Sequence, residues 1–387
     1  MMKDIWQVIR REIRIFRARP VYILASVGVM IFNTVFYLTF MQDGLPHDLP
    51  VGIVDCDRSS TSRSFCQQLD ATQLSRVVYY DDIHRARRDM QTGRLTAFIV
   101  IPEGFNDDVQ ASRQPHLGYY VNSLYFVGGA LSYANVLQMV NLTNGAVQRQ
   151  FLRARGVNEA EIMARIQPIV LDAHQIGNTT TNYGVYLNSV ILPGVLEMIV
   201  ILITVYAVGS ELKYGTSRHL MQTAGGSIVK ALAGKMAVYG LIFTFLGITL
   251  ELILYHWMHY PIRGSVGWMC LAILLLVAAA QSIGLFIIEL IPNLRLAISV
   301  SAIFSVFAFS VAGFTLPVEA MPAGLQGFSA IFPLRHYYLF YVQEAIFGSG
   351  FTGWWKEVVH LLIFTGLPLL LMRRLEDAYI NQRYERD

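Results

Sequence analysis

The sequence predicts a membrane protein, mainly α, with six transmembrane helices and an inserted α/β extracytoplasmic domain. Three observations carry this. Apolar residues make up 54% of the chain and charged residues 15%, a balance too apolar for an ordinary soluble protein. The apolar residues gather in six runs, at 20–41, 185–208, 235–257, 266–290, 296–316 and 353–372. Each is close to the roughly 20 residues that cross a hydrocarbon core. Between the first two runs, strand-like and helix-like stretches alternate through 42–184, the pattern of a small α/β unit. The net charge of +3 is too small to imply nucleic acid, so the position of the positive residues matters more than their number.

Before the first run lie Lys3, Arg10, Arg11, Arg14, Arg17 and Arg19; after the last lie Arg373, Arg374, Arg383 and Arg386. Lysine and arginine stay on the cytoplasmic side, so both termini are expected there. The loops at 209–234 and 291–295 then face inward, and 42–184, 258–265 and 317–352 face outward. Ile5, Ile9 and Ile13, with Trp6 and Phe16, recur at helical spacing opposite the arginines. That is the pattern of a helix lying in the interface; the plainer alternative is a basic flank that only sets topology. The first run is longer than a signal-peptide core and no small-x-small site follows it, so an uncleaved span is expected.

Within 42–184, strands are expected at 51–54, 77–80, 96–102 and 116–121. Ser59, Ser60 and Thr61 offer helix caps, Gly93 closes a helix at 83–92, and a long helical stretch runs from Tyr125 to about Arg155. Cys56 and Cys66 are the cysteines outside the runs; in an oxidising compartment they either close a disulfide or remain two free thiols. Cys270, inside a run, is read as packing.

The 209–234 stretch is the long polar interruption between two apolar runs, a compact Gly-punctuated piece able to form a short helix. Ionisable residues inside spans are costly and point to function. Glu197 lies deep in the second run beside Pro193-Gly194, read as a break, and is assigned either to a substrate path or to an interhelical contact. Gln281 carries a similar assignment. Glu251 and Glu289 lie near run ends, where headgroup-level solvation accounts for them. The 313–352 segment is interrupted by Pro317, Pro322 and Pro333; its stretches 325–332 and 337–347 are too short to cross and read as re-entrant or interfacial helices. His256 and His259 lack a nearby Cys, Asp or Glu beyond Glu251, so no metal site is expected, and no catalytic constellation is visible. No G-x-x-x-x-G-K-[ST] loop occurs; at Gly234-Lys235 the upstream glycine is replaced by Val229 and the Ser/Thr by Met236.

Five stretches, in order, resemble one family. They are Pro50-Val51-Gly52-Ile53-Val54-Asp55-Cys56-Asp57-Arg58-Ser59; Phe98-Ile99-Val100-Ile101-Pro102-Glu103-Gly104-Phe105; Glu211-Leu212-Lys213-Tyr214-Gly215-Thr216 with Gly234-Lys235; Gly313-Phe314-Thr315-Leu316-Pro317-Val318-Glu319-Ala320-Met321-Pro322; and Phe332-Pro333-Leu334-Arg335-His336-Tyr337. The layout resembles the ABC-2 type permeases, membrane subunits of ABC exporters, in the bacterial branch with a large extracytoplasmic domain. The resemblance implies that Glu211, Lys213, Gly215, Thr216 and Lys235 belong to an ATPase-coupling segment, and that the region of Pro317, Glu319 and Pro333 helps form an exit gate. It implies a separate ABC ATPase subunit that binds ATP and Mg, with no cofactor in this chain. It also implies a second permease copy or close relative, a bacterial inner membrane, and a periplasmic adaptor with an outer-membrane channel. Two departures stand out: Lys213 where many relatives carry a second Glu, and Ala224 where many carry Pro. A non-transporting scaffold or receptor of the related phage-receptor or secretion-accessory type is the alternative.

Overall fold

A computed structural model describes residues 2–111, 113–172, 174 and 176–382; Arg383 and Arg386, used above for topology, lie outside the described residues. The chain divides into two compact units, one from Met1–Gly44 and Gln175–Asp387, the other from Leu45–His174.

The first unit is helical. Among the described residues, six helices are long and apolar enough to cross a membrane: Pro20–Phe40, Tyr183–Lys213, Ile228–Trp257, Val266–Leu290, Leu294–Val311 and Phe351–Asn381, numbered here spans 1 to 6. Spans 2 and 4 form the centre, with most of their side chains buried against neighbours, while span 1 is largely exposed, as suits a lipid-facing helix. Pro193 does not break span 2, as the sequence suggested; the helix runs through it without interruption. Neighbouring helices in a membrane bundle can satisfy what a proline frees. The proline-rich 313–352 segment folds into a short helix at Ala323–Ser329 and another at Pro333–Tyr341, where Pro333 occupies the first helical turn and needs no N–H.

Several polar side chains tie these elements together. Glu344 accepts the Ser265 N–H at 2.7 Å and the Trp354 Nε1–H at 2.8 Å. Asn188 donates to the Tyr260 hydroxyl at 2.9 Å. Tyr337 donates to Glu251 Oε1 at 2.7 Å, and both residues are buried. Glu251 and Glu289 are therefore not solvated at the headgroup level, as their sequence positions suggested; both are fully enclosed by protein.

The second unit carries a four-stranded sheet: β1 (Leu49–Asp55), β2 (Ser75–Tyr79), β3 (Ala97–Ile101) and β4 (Gly118–Val121), in the order β2-β1-β3-β4. β1 is parallel to β2 and β3; β4 is antiparallel on the edge. Helix Ser60–Asp70 joins β1 to β2 and helix Ile83–Gln91 carries the chain from β2 across β1 to β3, as parallel connections demand. Alternation along β1 and β3 sends Val51, Ile53, Ile99 and Ile101 to one apolar cluster and Val54 and Phe98 to another, so both faces of the sheet are covered. The two signatures of this unit meet at the strand ends. Asp55 accepts the Asp57 and Arg58 N–H groups and the Ser62 hydroxyl, Ser59 caps the next helix through the Ser62 N–H, and Asp57 accepts the Asn106 N–H beyond β3. The Asp-x-Asp-x-Ser pattern is thus a turn-and-cap device. The sheet's first cluster also walls a groove of about 610 Å³, lined by Phe65, Phe105, Tyr119, Val136, Val140 and Phe151.

Cys56 and Cys66 are free thiols rather than a disulfide. Cys66 is turned into the cluster with Val51 and Leu69, whereas Cys56 is exposed. Burial pushes the Cys66 thiol up to about 11, with Asp55 adding to it. A maleimide at pH 8 should therefore modify Cys56 in the native protein and reach Cys66 only on unfolding. Mass spectrometry of the labelled peptides checks this; equal labelling of both thiols would mean that the cluster is open. The raised pKa favours the neutral thiol, so its contribution to stability holds below the ordinary value of 9.0 and is lost as pH climbs toward 11.

Candidate functional site

The most polar interior of the first unit lies where the 209–234 hairpin leaves spans 2 and 3. The hairpin turns through Gly215, whose φ of +68° is a left-handed conformation that a side chain would strain. A short helix follows at Ser217–Thr223, burying Ser217, Leu220 and Met221. Its other face is open: Arg218, His219 and Gln222 are exposed, as are Lys213 and Tyr214 before it. Both Arg19 and Lys213 approach the Tyr214 ring, at 5.3 and 5.5 Å.

Beneath that surface lies a closed group of four charges. Arg11 holds Glu211 with two parallel bonds, Nη1 to Oε1 at 2.8 Å and Nη2 to Oε2 at 2.9 Å, and reaches Glu12 Oε1 at 2.6 Å. The Lys235 ammonium donates to Glu12 Oε2 and Glu211 Oε1, both at 2.9 Å, and to the Ala207 carbonyl at 3.1 Å. Thr216 donates its hydroxyl to Glu211 Oε2, and Tyr239 reaches Glu12 Oε2 at 3.4 Å. Glu12, Glu211 and Lys235 are at most 3% exposed. Two cations and two anions cancel, and every ionic atom has a donor or acceptor, which is the condition for keeping charges out of water. Burial disfavours the Arg11 cation, but Glu211 and Glu12 outweigh that and raise its pKa above the ordinary value.

Three segments remote in sequence supply this group. Lys235 starts the membrane part of span 3, and the glycine before it lets the N-terminal helix Met2–Ala18 close in: a Cβ on Gly234 would sit 2.8 Å from that of Val8. The N-terminal helix turns Val8, Glu12 and the Arg11 guanidinium inward, so it packs on protein along one side while Trp6, Arg10, Arg14 and Arg17 face out. The end of span 6 closes the arrangement. Tyr379 donates its hydroxyl to the Val208 carbonyl at 2.9 Å and accepts the Ser217 hydroxyl on its own carbonyl at 2.9 Å; Gln382 donates to the Gly215 carbonyl at 3.0 Å. Lys230 pairs with Asp4 at 2.7 Å, and that hydrogen bond lowers the Asp4 pKa.

The residues read from the sequence therefore separate. Glu211, Thr216 and Lys235 come together in the buried group, whereas Lys213 and Gly215 lie on the exposed side of the hairpin. Arg11, Glu12, Tyr239 and Tyr379 were missed; Arg11 stood among arginines that topology alone explained, and its neighbour Glu12 was the one signal that the basic helix had an acid to bury. Glu197 is buried in span 2 with Oε1 unpartnered, and Gln281 donates to the Met236 carbonyl at 3.2 Å, bridging spans 4 and 3. Of the outer residues, Pro317 and Glu319 are exposed and Pro333 is buried; Arg335 lies 3.6 Å from Glu319 and donates to the Ala312 carbonyl at 3.1 Å.

Residues 20–373 match the family model described as ABC-2 family transporter protein. The chain is also similar to the inner membrane transport permease YhhJ of Escherichia coli (strain K12) and to that of Shigella flexneri. Each is 25% identical over 325 residues, 82% of this chain and 82% of the relative.

Proposed function

Because the chain belongs to the ABC-2 transporter family, a family whose permeases work with an ABC ATPase, we propose that it is the permease subunit of an ATP-driven exporter in a bacterial inner membrane. The observation that carries this reading is the hairpin at 209–234, with a bare outer surface above a rigid charged root. The exposed Tyr214, Arg218, His219 and Gln222 form the surface that meets the ATPase. The buried Glu211, Lys235, Arg11 and Glu12 transmit its movement to spans 2 and 3 and to the N-terminal helix. Such a division suits a lever, since a push on the hairpin tilts helices only if the joint does not yield. ATP and Mg stay with the partner subunit, both termini lie in the cytoplasm, and two permease copies enclose the route. The Leu45–His174 unit then lies in the periplasm and meets an adaptor working with an outer-membrane channel. The cargo is hydrophobic or amphipathic. Export, rather than uptake, follows from the family branch that the five sequence stretches resemble.

The test separates the two layers of the hairpin. His219→Glu with Gln222→Glu should remove the vanadate-sensitive ATPase activity that copurifies with the full chain, while the melting temperature of the permease itself stays unchanged. Substituting the buried Glu211 should instead lower the melting temperature. If the exposed pair can be replaced with no loss of copurifying ATPase, the hairpin is not the docking surface, and the scaffold alternative gains.

A further inference from the structure

On a different part of the first unit, His336 of the Pro333–Tyr341 helix faces Glu357 and His360 of span 6. His336 Nδ1 lies 2.7 Å from Glu357 Oε2, and its Nε2 lies 2.9 Å from the Ala330 carbonyl oxygen. His360 Nδ1 lies 3.7 Å from the same Glu357 oxygen, and the two imidazoles stack with centroids 4.5 Å apart. One donor atom from each of the three residues falls within 4.8 Å of the others.

A carbonyl oxygen only accepts, so Nε2 of His336 carries its hydrogen toward Ala330, and the Nδ1 lone pair of the neutral ring points at a carboxylate. Two electron-rich atoms at 2.7 Å require a cation between them. A proton satisfies two atoms. Here a third donor converges, and the spacing of three between Glu357 and His360 keeps it on the same helix face. A metal ion satisfies all three once the His336–Glu357 pair opens to the roughly 3.3 Å that two ligands of one tetrahedral ion keep and the half-exposed His360 ring turns out of its stack. Two imidazoles and one carboxylate form the donor set of zinc-class ions with one coordination position open, whereas magnesium and calcium prefer all-oxygen surroundings. The Ala330 carbonyl supplies the outer contact that fixes a metal-binding histidine in one tautomer. Both rings also line a cavity of about 390 Å³ whose other walls include Ile283, Phe304 and Phe364, and among the described residues the two histidines are its only polar side chains.

We propose that His336, Glu357 and His360 bind one divalent transition-metal ion of the zinc class, which clamps the Pro333–Tyr341 helix to the last span. The proposal rests on this geometry alone and does not depend on the exporter reading. A bound ion restrains the outer proline-rich segment, so metal availability would set how readily that segment moves.

The experiment uses the full-length chain without a polyhistidine tag, in detergent, with zinc chloride titrated against a chromophoric chelator. One zinc per chain is expected, with an affinity that falls by at least about 10-fold in His360→Ala, because losing a ligand costs no less than losing an outer contact. Zinc should raise the melting temperature of the wild type and not of His360→Ala, and magnesium at the same concentration should do neither. His360 is half exposed, so its loss spares the fold; should that variant fail to fold, Glu357→Gln, which keeps an oxygen facing His336, takes its place. No stoichiometric zinc binding by the wild type, or unchanged binding by the variants, overturns the proposal and leaves a proton bridging His336 and Glu357. Magnesium competing equally with zinc overturns the metal class.

Discussion

Lys235→Met should lower the melting temperature of the purified protein on the order of 10 °C and cut its yield from membranes. The methionine fills similar space but leaves Glu12 and Glu211 facing each other in the interior with Arg11 as their sole cation. The neutral group of four becomes a group of three with a net negative charge. Removing one partner of a buried pair costs about 3–5 kcal/mol, because the remaining charge has no water to turn to. Spread over a domain of this size, each kcal/mol moves the melting point by about 2–4 °C. Adding Glu211→Gln to Lys235→Met removes one charge of each sign and leaves the Arg11–Glu12 pair. The double variant should therefore recover at least half of the loss, which is the non-additivity that coupled sites show. Strictly additive losses in a melting series of the two single variants and the double would mean that the four charges do not act as one group.

Glu344→Ala should destabilise the opposite end of the bundle nearly as much. The carboxylate is 2% exposed and accepts both the Ser265 N–H and the indole N–H of Trp354, itself 1% exposed. Hydrogen bonds to a charged group contribute about 1.5–3 kcal/mol each, and truncation strands both donors. Glu344→Gln keeps one acceptor oxygen but turns an amide N–H₂ toward the second donor, so an intermediate loss is expected. Near-ultraviolet circular dichroism and melting curves read both effects. If alanine melts like the wild type, Glu344 is not what holds the Trp354 indole and the Ser265 N–H in place.

The membrane class, the six spans and the alternation of strand and helix before span 2 were legible because they rest on local pattern. Hydropathy length marks a span, and short continuous apolar runs bounded by turn residues mark β1 and β3 whatever surrounds them. The functional site was legible only in halves. Glu211, Gly215 and Lys235 stood out as polar or turn-forming residues between apolar runs, but their partners come from the N-terminal helix, some 200 positions away. A helix that satisfies the positive-inside rule gives no local reason to look for an ion pair inside the protein. The same blindness affected Pro193, where a local rule predicts a break that tertiary packing overrides. Glu357 is a further case, a charge within the last apolar run whose partner, His336, lies on a different helix. In each case the sequence shows the expense of a residue, and only packing shows what compensates it.

The account stands on the hairpin lying on the cytoplasmic face and the sheet-bearing unit on the other. A membrane-impermeant maleimide decides this with Tyr214→Cys in a background where Cys66 and Cys270 are replaced and Cys56 is kept, both target positions being exposed. Intact cells with a permeabilised outer membrane should label position 56 and spare 214; inverted inner-membrane vesicles should label 214 and spare 56. Labelling of position 214 from outside intact cells would contradict the account, because no cytoplasmic ATPase could then reach the hairpin.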